Sequence, residues 1–483
     1  MTGNAAPMDR VSAGPADVKP KERTCDLLIH HGHVVTMDGS RTVLTDGALA
    51  VTADRIVEVG SSDALRGRYA ARRLLDAGGG LVHPGFIDPH LHTTFHSGRG
   101  LLVTGADVGS SHGVFDSWAN ELTEDDEHDS ALAAFTEALR CGFTGIQDPG
   151  TAMAPDAVAR AAEAAGIRCS LADPHLWDQE GASPTTWRVP FSRKRCLRLL
   201  GGQLWRNRDR DALVRGHVAV YGVTTASDEL LVAAKDCARE NGVVFASHQS
   251  LSVEDYAYDC ERFGRPPLLH FADLGIIDQH TVFTHMNCMG ELESDEVIAS
   301  GMTVVWNPTN YLFYGLTLET RTRVPELVQR GGCVALCNDI AKAWGLADEQ
   351  FIAYFTSRST GIAISISQLF EIMTLNGARA IGMADEVGSL EAGRRADIVM
   401  HRSNHVLSQP NTAPELQTLL VGRAASVDTV LVAGRVVVQD GRCVSVDEEA
   451  VFARARSCAR RVATRVGITL PSDASLSPSA KRS

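Results

Sequence analysis

The sequence lacks the features that would place it in a membrane or on a nucleic acid. No stretch reaches the roughly 18 uninterrupted apolar residues that a membrane-spanning helix needs, and residues 1–24 lack the apolar centre of a secretory signal. The 46 lysines and arginines form no long basic run, and 59 acidic residues outnumber them, giving a net charge of −13. These absences predict a cytoplasmic protein with no membrane or nucleic-acid partner.

Patterns of paired cysteines are also missing. The chain has eleven cysteines, an odd number, and no CxxC pair. Cys333 and Cys337 share a face of a predicted strand, but two thiols without a second pair are typical of core positions rather than of a zinc site. No disulfides are expected.

The composition is that of a folded protein with a large core. Hydrophobic residues make up 44% of the 483 residues. We expect residues 1–23 to form a disordered tail and residues 446–483 to form a C-terminal helix with a mobile tail. Short strand-like runs separated by turns fill 24–81 and return at 387–445, so these two segments are expected to form one composite β-sandwich domain. Residues 82–386 remain for a larger central domain.

The central domain alternates strand-like with helix-like runs, a pattern typical of parallel βα units. Helical runs begin at the capping residues Thr123 and Ser227. Eight strand-like runs occur at 85–92, 143–149, 167–175, 217–224, 243–250, 281–287, 303–309 and 333–339. They predict a (β/α)8 TIM barrel rather than a doubly wound sheet, because no glycine-rich phosphate loop follows the first strand.

The carboxyl ends of these strands, where TIM-barrel enzymes place their catalytic groups, are rich in metal-binding residue types. His90 and His92 end the first strand and, being two residues apart, point the same way. His248 ends the fifth strand, His285 the sixth and Asp339 the eighth. With 17 histidines in the chain one HxH pair can arise by chance, and His285 or Asp339 taken alone could be structural.

Imidazoles and a carboxylate that converge in an apolar barrel mouth would be costly without a cation. Nitrogen and oxygen ligands with an open position suit one catalytic divalent metal, for which we expect Zn²⁺, with Fe²⁺ or Mn²⁺ as alternatives. Such a metal lowers the pKa of its bound water to about 7, far below that of bulk water.

Several motifs in a fixed order carry a resemblance to a known family. They are GGGLVHPGFIDPHLHT, FTHMNCMGELESDEV with VVWNPTNYLFYG, VALCND, and VGSLEAGRRADIVM with VDTVLVAGRVVVQDG. Over almost its whole length the chain resembles the amidohydrolase superfamily, in the branch that holds cytosine, guanine and S-adenosylhomocysteine deaminases and triazine hydrolases.

The resemblance implies a role for each strand-end residue. It makes His90, His92, His248 and Asp339 the metal ligands, and it lets His285 hydrogen-bond the reacting group or the attacking water. It also implies a small-molecule substrate and a homodimer or larger homo-oligomer. Asp339 would then take the proton from the attacking water and pass it to the leaving group.

Two departures from the family pattern limit what can be carried over. Deaminases of this branch have a proton-shuttling glutamate three residues after the strand 5 histidine, where this chain has Leu251. Strand 4 ends in GVTTASDEL, so Thr224 or Thr225 replaces the usual histidine at a position that contacts substrate, and no strand 4 lysine is present to bridge two metals. We therefore expect one metal, with Asp339 as the principal acid and base. Candidate second relays, each of which could be only structural, are Asp148, Asp173, His175 and Glu254.

Residues that follow the strands predict an aromatic pocket for a planar or heteroaromatic substrate. Trp118 follows strand 1, Phe313 and Tyr314 follow strand 7, and Lys342 and Trp344 follow strand 8. Packing against a partner subunit would explain the same residues equally well.

The leading functional hypothesis is a metal-dependent hydrolase of carbon–nitrogen bonds, acting as a deaminase, amidine hydrolase or amide hydrolase. A hydrolase that displaces chloride or a thiolate, or a lyase, is the alternative, because easier leaving groups need less protonation and would explain Leu251. A non-catalytic binding protein of the same fold is a further alternative, against which the intact ligand set argues.

Overall fold

The computed structural model describes residues 22–102, 108–182, 187–340 and 342–470. The predicted tails lie almost wholly outside these residues. The strands are β1 Arg23–Val35, β2 Val43–Thr52, β3 Arg55–Ser61, β4 Tyr69–Asp76, β5 Leu81–Pro84, β6 Phe86–Asp88, β7 Phe143–Gln147, β8 Arg168–Leu171, β9 Val214–Gly216, β10 Val218–Gly222, β11 Phe245–Gln249, β12 Thr281–His285, β13 Thr303–Trp306, β14 Cys333–Leu336, β15 Ile398–His401, β16 Val427–Val432, β17 Arg435–Gln439 and β18 Arg442–Cys443.

Helices follow most of the barrel strands. They are α1 Ser62–Arg68, α2 Val108–Asn120, α3 Glu124–Arg140, α4 Pro155–Ala165, α5 Arg193–Leu199, α6 Asp228–Asn241, α7 Val253–Phe263, α8 Pro267–Asp273, α9 Glu291–Ser300, α10 Pro308–Phe313, α11 Val324–Gln329, α12 Glu349–Ser359, α13 Ile366–Met373, α14 Leu375–Ala380, α15 Pro414–Leu416 and α16 Glu448–Arg465. Short 3₁₀ segments span Thr93–Gly98, Leu204–Arg208, Leu316–Leu318, Val406–Ser408 and Arg423–Ser426, and a π-helical turn spans Gln417–Gly422. Among the described residues, no helix is long and apolar enough to cross a bilayer.

The predicted (β/α)8 barrel is confirmed. Strands β6 to β9 and β10 to β14 form two parallel sheets. Strands β9 and β10 are separated only by His217, so together they make the fourth barrel strand. A parallel bridge between Leu91 and Asp339 closes the barrel beyond the ends of β6 and β14. At this bridge the Asp339 amide donates to the His90 carbonyl at 2.9 Å. The first and last barrel strands are therefore joined at two of the predicted metal ligands, His90 and Asp339.

The sequence predicts a composite β-sandwich domain from both ends of the chain. The structure has a β-rich domain from both ends, and its strands form one sheet. Its order is β18-β17-β16-β15-β5-β1-β2-β3, with β4 added beside β1. The two halves of the chain meet where β5 pairs antiparallel with β15. Strand alternation gives the sheet an apolar cluster on each face: Leu27 and Ile29 belong to one cluster, and Leu28 belongs to the other.

The helix starts predicted at Thr123 and Ser227 are both present. Thr123 forms a capping box with Asp126 at the start of α3, and the Ser227 hydroxyl accepts from the Leu230 amide at the start of α6. The C-terminal helix α16 packs on α3, where Arg461 pairs with Asp126 at 2.8 Å. These contacts fix the helix that precedes β7 and so support the strand ends at the barrel mouth.

A buried ion pair joins the barrel to the sheet domain at the opposite end of the barrel. Arg168, the first residue of β8, makes a bidentate contact with Asp397 at 2.8 and 2.9 Å. Their side chains are only 2% and 3% exposed. Asp397 also accepts the Ala433 amide from the sheet domain at 2.8 Å, so its carboxylate is hydrogen-bonded to both the barrel and the sheet domain.

Candidate metal centre

Five predicted side chains meet at the carboxyl end of the barrel. One atom each from His90, His248, His285 and Asp339 lies within 4.8 Å of the others, and all four residues are buried. His92 joins them: its Nε2 lies 3.2 Å from His90 Nε2, 3.3 Å from His248 Nε2 and 3.0 Å from Asp339 Oδ1. The structure therefore brings together every residue that the sequence places in the metal centre.

Hydrogen bonds on the outer ring nitrogens orient three of the histidines. His90 Nδ1 contacts the Thr284 hydroxyl at 3.0 Å, and His92 Nδ1 contacts the Thr151 hydroxyl at 2.7 Å. His248 Nδ1 lies 2.6 Å from the Tyr221 carbonyl, which can only accept. His248 therefore carries its proton on Nδ1 and presents the Nε2 lone pair to the centre, the form that binds a metal.

His285 is held differently. Its Nδ1 is buried and has no hydrogen-bond partner among the described residues. Burial lowers the pKa of His285 to about 3, so the ring is neutral. Because this Nδ1 makes no hydrogen bond, whereas Nδ1 of His90, His92 and His248 each makes one, His285 suits the expected role of contacting the reacting group better than that of a ligand.

The backbone at the site departs from ordinary strand geometry. Ser250, His285 and Asp339 have φ values of 49°, 79° and 55°, in the left-handed region that residues with side chains rarely adopt. β11 and β12 end at or next to these turns, and β14 ends at Leu336, before the turn at Asp339; all three end earlier than the sequence predicts. Gly222 ends β10 with φ 76°, and a Cβ there would lie 2.1 Å from the His248 carbonyl oxygen. Glycine therefore lets β10 approach β11 at the site.

The donor set fits a divalent metal. Although burial opposes ionisation, hydrogen bonds from His90 and His92 hold the pKa of Asp339 well below its ordinary value. Burial and the neighbouring imidazoles keep the pKa of His248 well below its ordinary value, so a neutral His248 lies beside the carboxylate. Three Nε2 atoms that converge beside a buried anion make the environment that a cation stabilises.

Asp339 also has a hydrogen-bond partner that the sequence does not indicate. Asn310, from α10, donates to its Oδ2 through Nδ2. Lys342 donates to Asn310 Oδ1 at 2.8 Å and so fixes which way the amide faces. The lysine is 1% exposed, and its Nζ lies 5.1 to 5.7 Å from the rings of Phe313, Tyr314 and Trp344.

The predicted substrate residues occupy different environments. Phe313, Tyr314 and Trp344 surround Lys342 next to the centre. Trp118 is fully buried in an apolar cluster that includes Phe95. Thr224 accepts the Ala182 amide at 2.7 Å and donates to the Val223 carbonyl at 2.5 Å, so its hydroxyl is used within the chain.

Three of the four candidate second relays are occupied by structural contacts. Asp148 accepts from the Thr93 hydroxyl at 2.9 Å, and Asp173 accepts from the Gly202 amide at 2.9 Å. His175 Nε2 lies 3.0 Å from the Thr151 carbonyl, and Glu254 is exposed on α7. Leu251, partly exposed, follows β11 where the family's glutamate would stand.

An aromatic wall next to His248 was missed by the sequence analysis. The Tyr221 ring lies 5.0 Å from that of His248 and 5.0 Å from that of Trp177, and the Trp187 ring lies 4.2 Å from that of His175. Tyr221 could have been found, because it precedes the end of the fourth barrel strand. Trp187 comes from a long connection, and no local pattern indicates its position.

The outer hydrogen bonds give a testable prediction about metal affinity. In Thr284→Val, His90 loses its outer partner while the side chain keeps its shape, so we expect metal affinity to fall ~10- to 100-fold. Competition with a chelator measures this change. Thr281→Val is the matched control, because Thr281 begins the same strand and bonds to Ile276 and Lys235 instead. Equal affinity in Thr284→Val and wild type would contradict the prediction.

A buried His/Asp cluster at the carboxyl end of a parallel barrel defines a class, the metal-dependent barrel hydrolases. The family model described as "Amidohydrolase family" matches residues 81–437. The chain belongs to this family, and the prediction of a hydrolase acting on carbon–nitrogen bonds is confirmed at this level.

Similar proteins of known name cover nearly the whole chain. A 5-methylthioadenosine/S-adenosylhomocysteine deaminase of Syntrophobacter fumaroxidans is 28% identical over 90% of this chain and 98% of its own. A 5'-deoxyadenosine deaminase of Methanosarcina mazei is 25% identical over 91% of this chain and 99% of its own.

Two solved structures share the fold. An adenosine deaminase from Xanthomonas campestris with bound zinc has a TM-score of 0.82, at 23% identity over 92% of this chain and 100% of its own. A zinc complex of an atrazine chlorohydrolase from Arthrobacter aurescens has a TM-score of 0.78, at 22% identity over 90% of this chain and 100% of its own.

Proposed function

We propose that the protein is a hydrolytic deaminase of a planar aminoheterocycle that uses one divalent metal, zinc, held by His90, His92, His248 and Asp339. The supporting observation is the convergence of three oriented imidazoles on a buried carboxylate. The similar proteins named as deaminases of adenosine derivatives support the leaving group and the substrate class.

The bound metal would supply a water that loses a proton near neutral pH. Asp339 accepts that proton through its carboxylate and later delivers it to the departing amine. Asn310 donates a hydrogen bond to one oxygen of the Asp339 carboxylate, Oδ2, while the other oxygen, Oδ1, faces the histidines. The site thus offers one carboxylate, in a fixed orientation, for both proton transfers.

His285 and the aromatic side chains complete the proposed mechanism. The neutral imidazole of His285 contacts the ring atom whose charge grows as water adds to the sp² carbon. Tyr221 on one side, and Phe313 and Tyr314 on the other, enclose a planar ring and exclude bulk water. Thr224 and Trp118 stay predictions as substrate contacts, as do the cytoplasmic location and the homo-oligomer.

A specific observation favours a second candidate, a hydrolase that displaces chloride or a thiolate. Leu251 supplies no proton at the position where deaminases of this branch have a carboxylate. An amine leaves only after protonation, whereas chloride and thiolates leave as anions.

Product analysis separates the two candidates. Zinc-loaded protein is incubated with adenosine, 5'-methylthioadenosine, S-adenosylhomocysteine, 5'-deoxyadenosine and free aminoheterocycles, and with chloro- and methylthio-substituted triazines. Deamination is supported if ammonia and the hydroxylated product form in equal amounts. Chloride or thiol release without ammonia would establish the second candidate, and no turnover on the whole panel would contradict both.

Leu251→Glu tests whether the site works without the missing carboxylate. We expect kcat for deamination to be unchanged or reduced, because the new charge enters a partly desolvated mouth with no prepared hydrogen-bond partner. Leu251→Gln is the matched control, since it has the same length and no charge. A several-fold gain in kcat with Glu but not with Gln would show that wild-type deamination lacks a working relay, contrary to the proposed role of Asp339.

A further inference from the structure

A large polar cavity lies at the end of the barrel opposite the metal centre. Its volume is about 840 Å³, within the usual range for small-molecule sites. It is lined by residues that begin or precede barrel strands, among them Arg168 at β8, Val244 before β11 and His280 before β12. The metal ligand His248 lies near the other end of β11, so the length of a strand, about 16 Å, separates the two sites.

Arginine dominates the charge of this cavity in an otherwise acidic protein. Three lining residues are acidic, namely Asp211, Asp385 and Glu386. Six lining residues are arginines: Arg55, Arg168, Arg210, Arg215, Arg379 and Arg395.

Ion pairs neutralise only half of these arginines. Arg168 pairs with Asp397 behind the wall, Arg215 pairs with Glu386, and Arg395 pairs with Asp54, Asp211 and Glu386. Within the described part of the chain, Arg55, Arg210 and Arg379 have no ion pair. Arg55 has only the Gly393 carbonyl, at 2.7 Å. Asp385 is the one lining carboxylate without a described partner. The three paired arginines are matched by four carboxylates, so the whole cluster has an excess of one positive charge, and this excess lies on the unpaired arginines.

The buried wall of the cavity also has unused donors. Among the residues that the structure describes, Arg168 Nη1, Arg215 Nε and His217 Nε2 are buried without a hydrogen-bond partner. Arg168 and His217 are 2% and 1% exposed. Both arginine atoms can only donate, and no buried side-chain oxygen of a lining residue lacks a partner. The cavity wall is therefore complementary to an acceptor-rich group.

We propose that this cavity binds a phosphate group, either free phosphate or the phosphate of a small phosphorylated molecule. Phosphate offers several acceptor oxygens to Arg55, Arg210 and Arg379, whose charges have no ion pair. A small shift of the wall side chains would bring the buried donors of Arg168, Arg215 and His217 within reach of the same group. Arg55 and Arg395 come from or next to the sheet domain, so a bound phosphate would join the barrel to that domain. This site is separate from the proposed deamination chemistry and does not depend on it.

The first test compares binding in variants of matched charge. Inorganic phosphate is titrated into the zinc-loaded protein by calorimetry, with potassium chloride at equal ionic strength as the reference. Arg210→Ser with Arg379→Ser should weaken phosphate binding at least about tenfold, since two charge-assisted contacts are lost. Both residues are exposed, so the variant should fold. Arg442→Ser with Arg456→Ser removes the same charge outside the cavity and should not change the affinity.

A second variant tests the buried donor. Arg168→Lys keeps a cation for Asp397 but removes the planar fork and its Nη1 donor. Its affinity for phosphate should fall, and its melting temperature in chloride should fall too, because lysine cannot make the bidentate contact with the buried Asp397. Binding is therefore measured at a temperature at which the variant is shown to be folded. If phosphate bound at the metal centre instead, its affinity would be unchanged both in Arg210→Ser with Arg379→Ser and in Arg168→Lys. Unchanged affinity in either variant would overturn the proposal.

Further ligands distinguish the source of the phosphate. Tighter binding of glycerol phosphate or adenosine monophosphate than of inorganic phosphate identifies a phosphorylated molecule, and the reverse identifies the free ion. Both results support the site. Acetate that binds as well as phosphate, or phosphate that raises the melting temperature no more than chloride does, would overturn it.

Discussion

His248→Ala should yield protein that folds, holds no stoichiometric metal and has no measurable turnover. His248 is the proposed ligand whose protonation state the structure defines, because its Nδ1 must donate to the Tyr221 carbonyl 2.6 Å away. Its removal leaves His90, His92 and Asp339, and it takes away a lone pair that no neighbour replaces. Elemental analysis of protein purified without chelator, alongside the turnover assay, measures both losses.

His285→Ala is the informative contrast to His248→Ala. Both rings are buried at the ends of neighbouring strands, and their centroids lie 5.6 Å apart. Because His285 is not one of the four proposed ligands, we expect this variant to keep one equivalent of metal and to lose turnover. Full metal content in His248→Ala would place the ligands elsewhere, and two equivalents in the wild type would contradict the single-metal prediction.

The barrel and the His/Asp cluster at its mouth could be predicted from the sequence because both depend on local order. Strand and helix periodicities place each barrel element, and the ends of parallel strands must meet at one face of the barrel. His90, His92, His248, His285 and Asp339 were found in this way, although Asp339 lies far from His90 in the chain. The composite sheet domain followed from strand-like runs at both ends.

Contacts made by side chains from connecting segments could not be predicted in the same way. Asn310 reaches Asp339 because α10 folds back over the mouth, and Lys342 reaches Asn310 from the segment after β14. The turn at Thr224 looks like a substrate contact in the sequence, yet its hydroxyl bonds to Ala182 from a distant loop. The arginine cavity combines residues from β3, β8, β9 and α14, and no single stretch of sequence indicates it.

Asp339→Asn should keep much of its metal and lose most of its activity. The amide oxygen can still coordinate, but the amide cannot accept and return a proton at neutral pH. We therefore expect kcat to fall by the ~10² to 10⁴ typical of removing a general base. Asn310 could face the new amide with either end, so metal content is measured first, and kcat is expressed per metal-loaded site.

Asp173→Asn is the matched control for Asp339→Asn. Asp173 is also a buried carboxylate at a barrel strand end, and burial raises its pKa to about 6. Its oxygen accepts the Gly202 amide, which an asparagine oxygen can do equally well, so kcat should change little. A wild-type rate in Asp339→Asn would contradict the assignment of Asp339. The base would then have to be Asp148, Asp173, His175 or Glu254, and a large loss in Asp173→Asn would identify Asp173 among them.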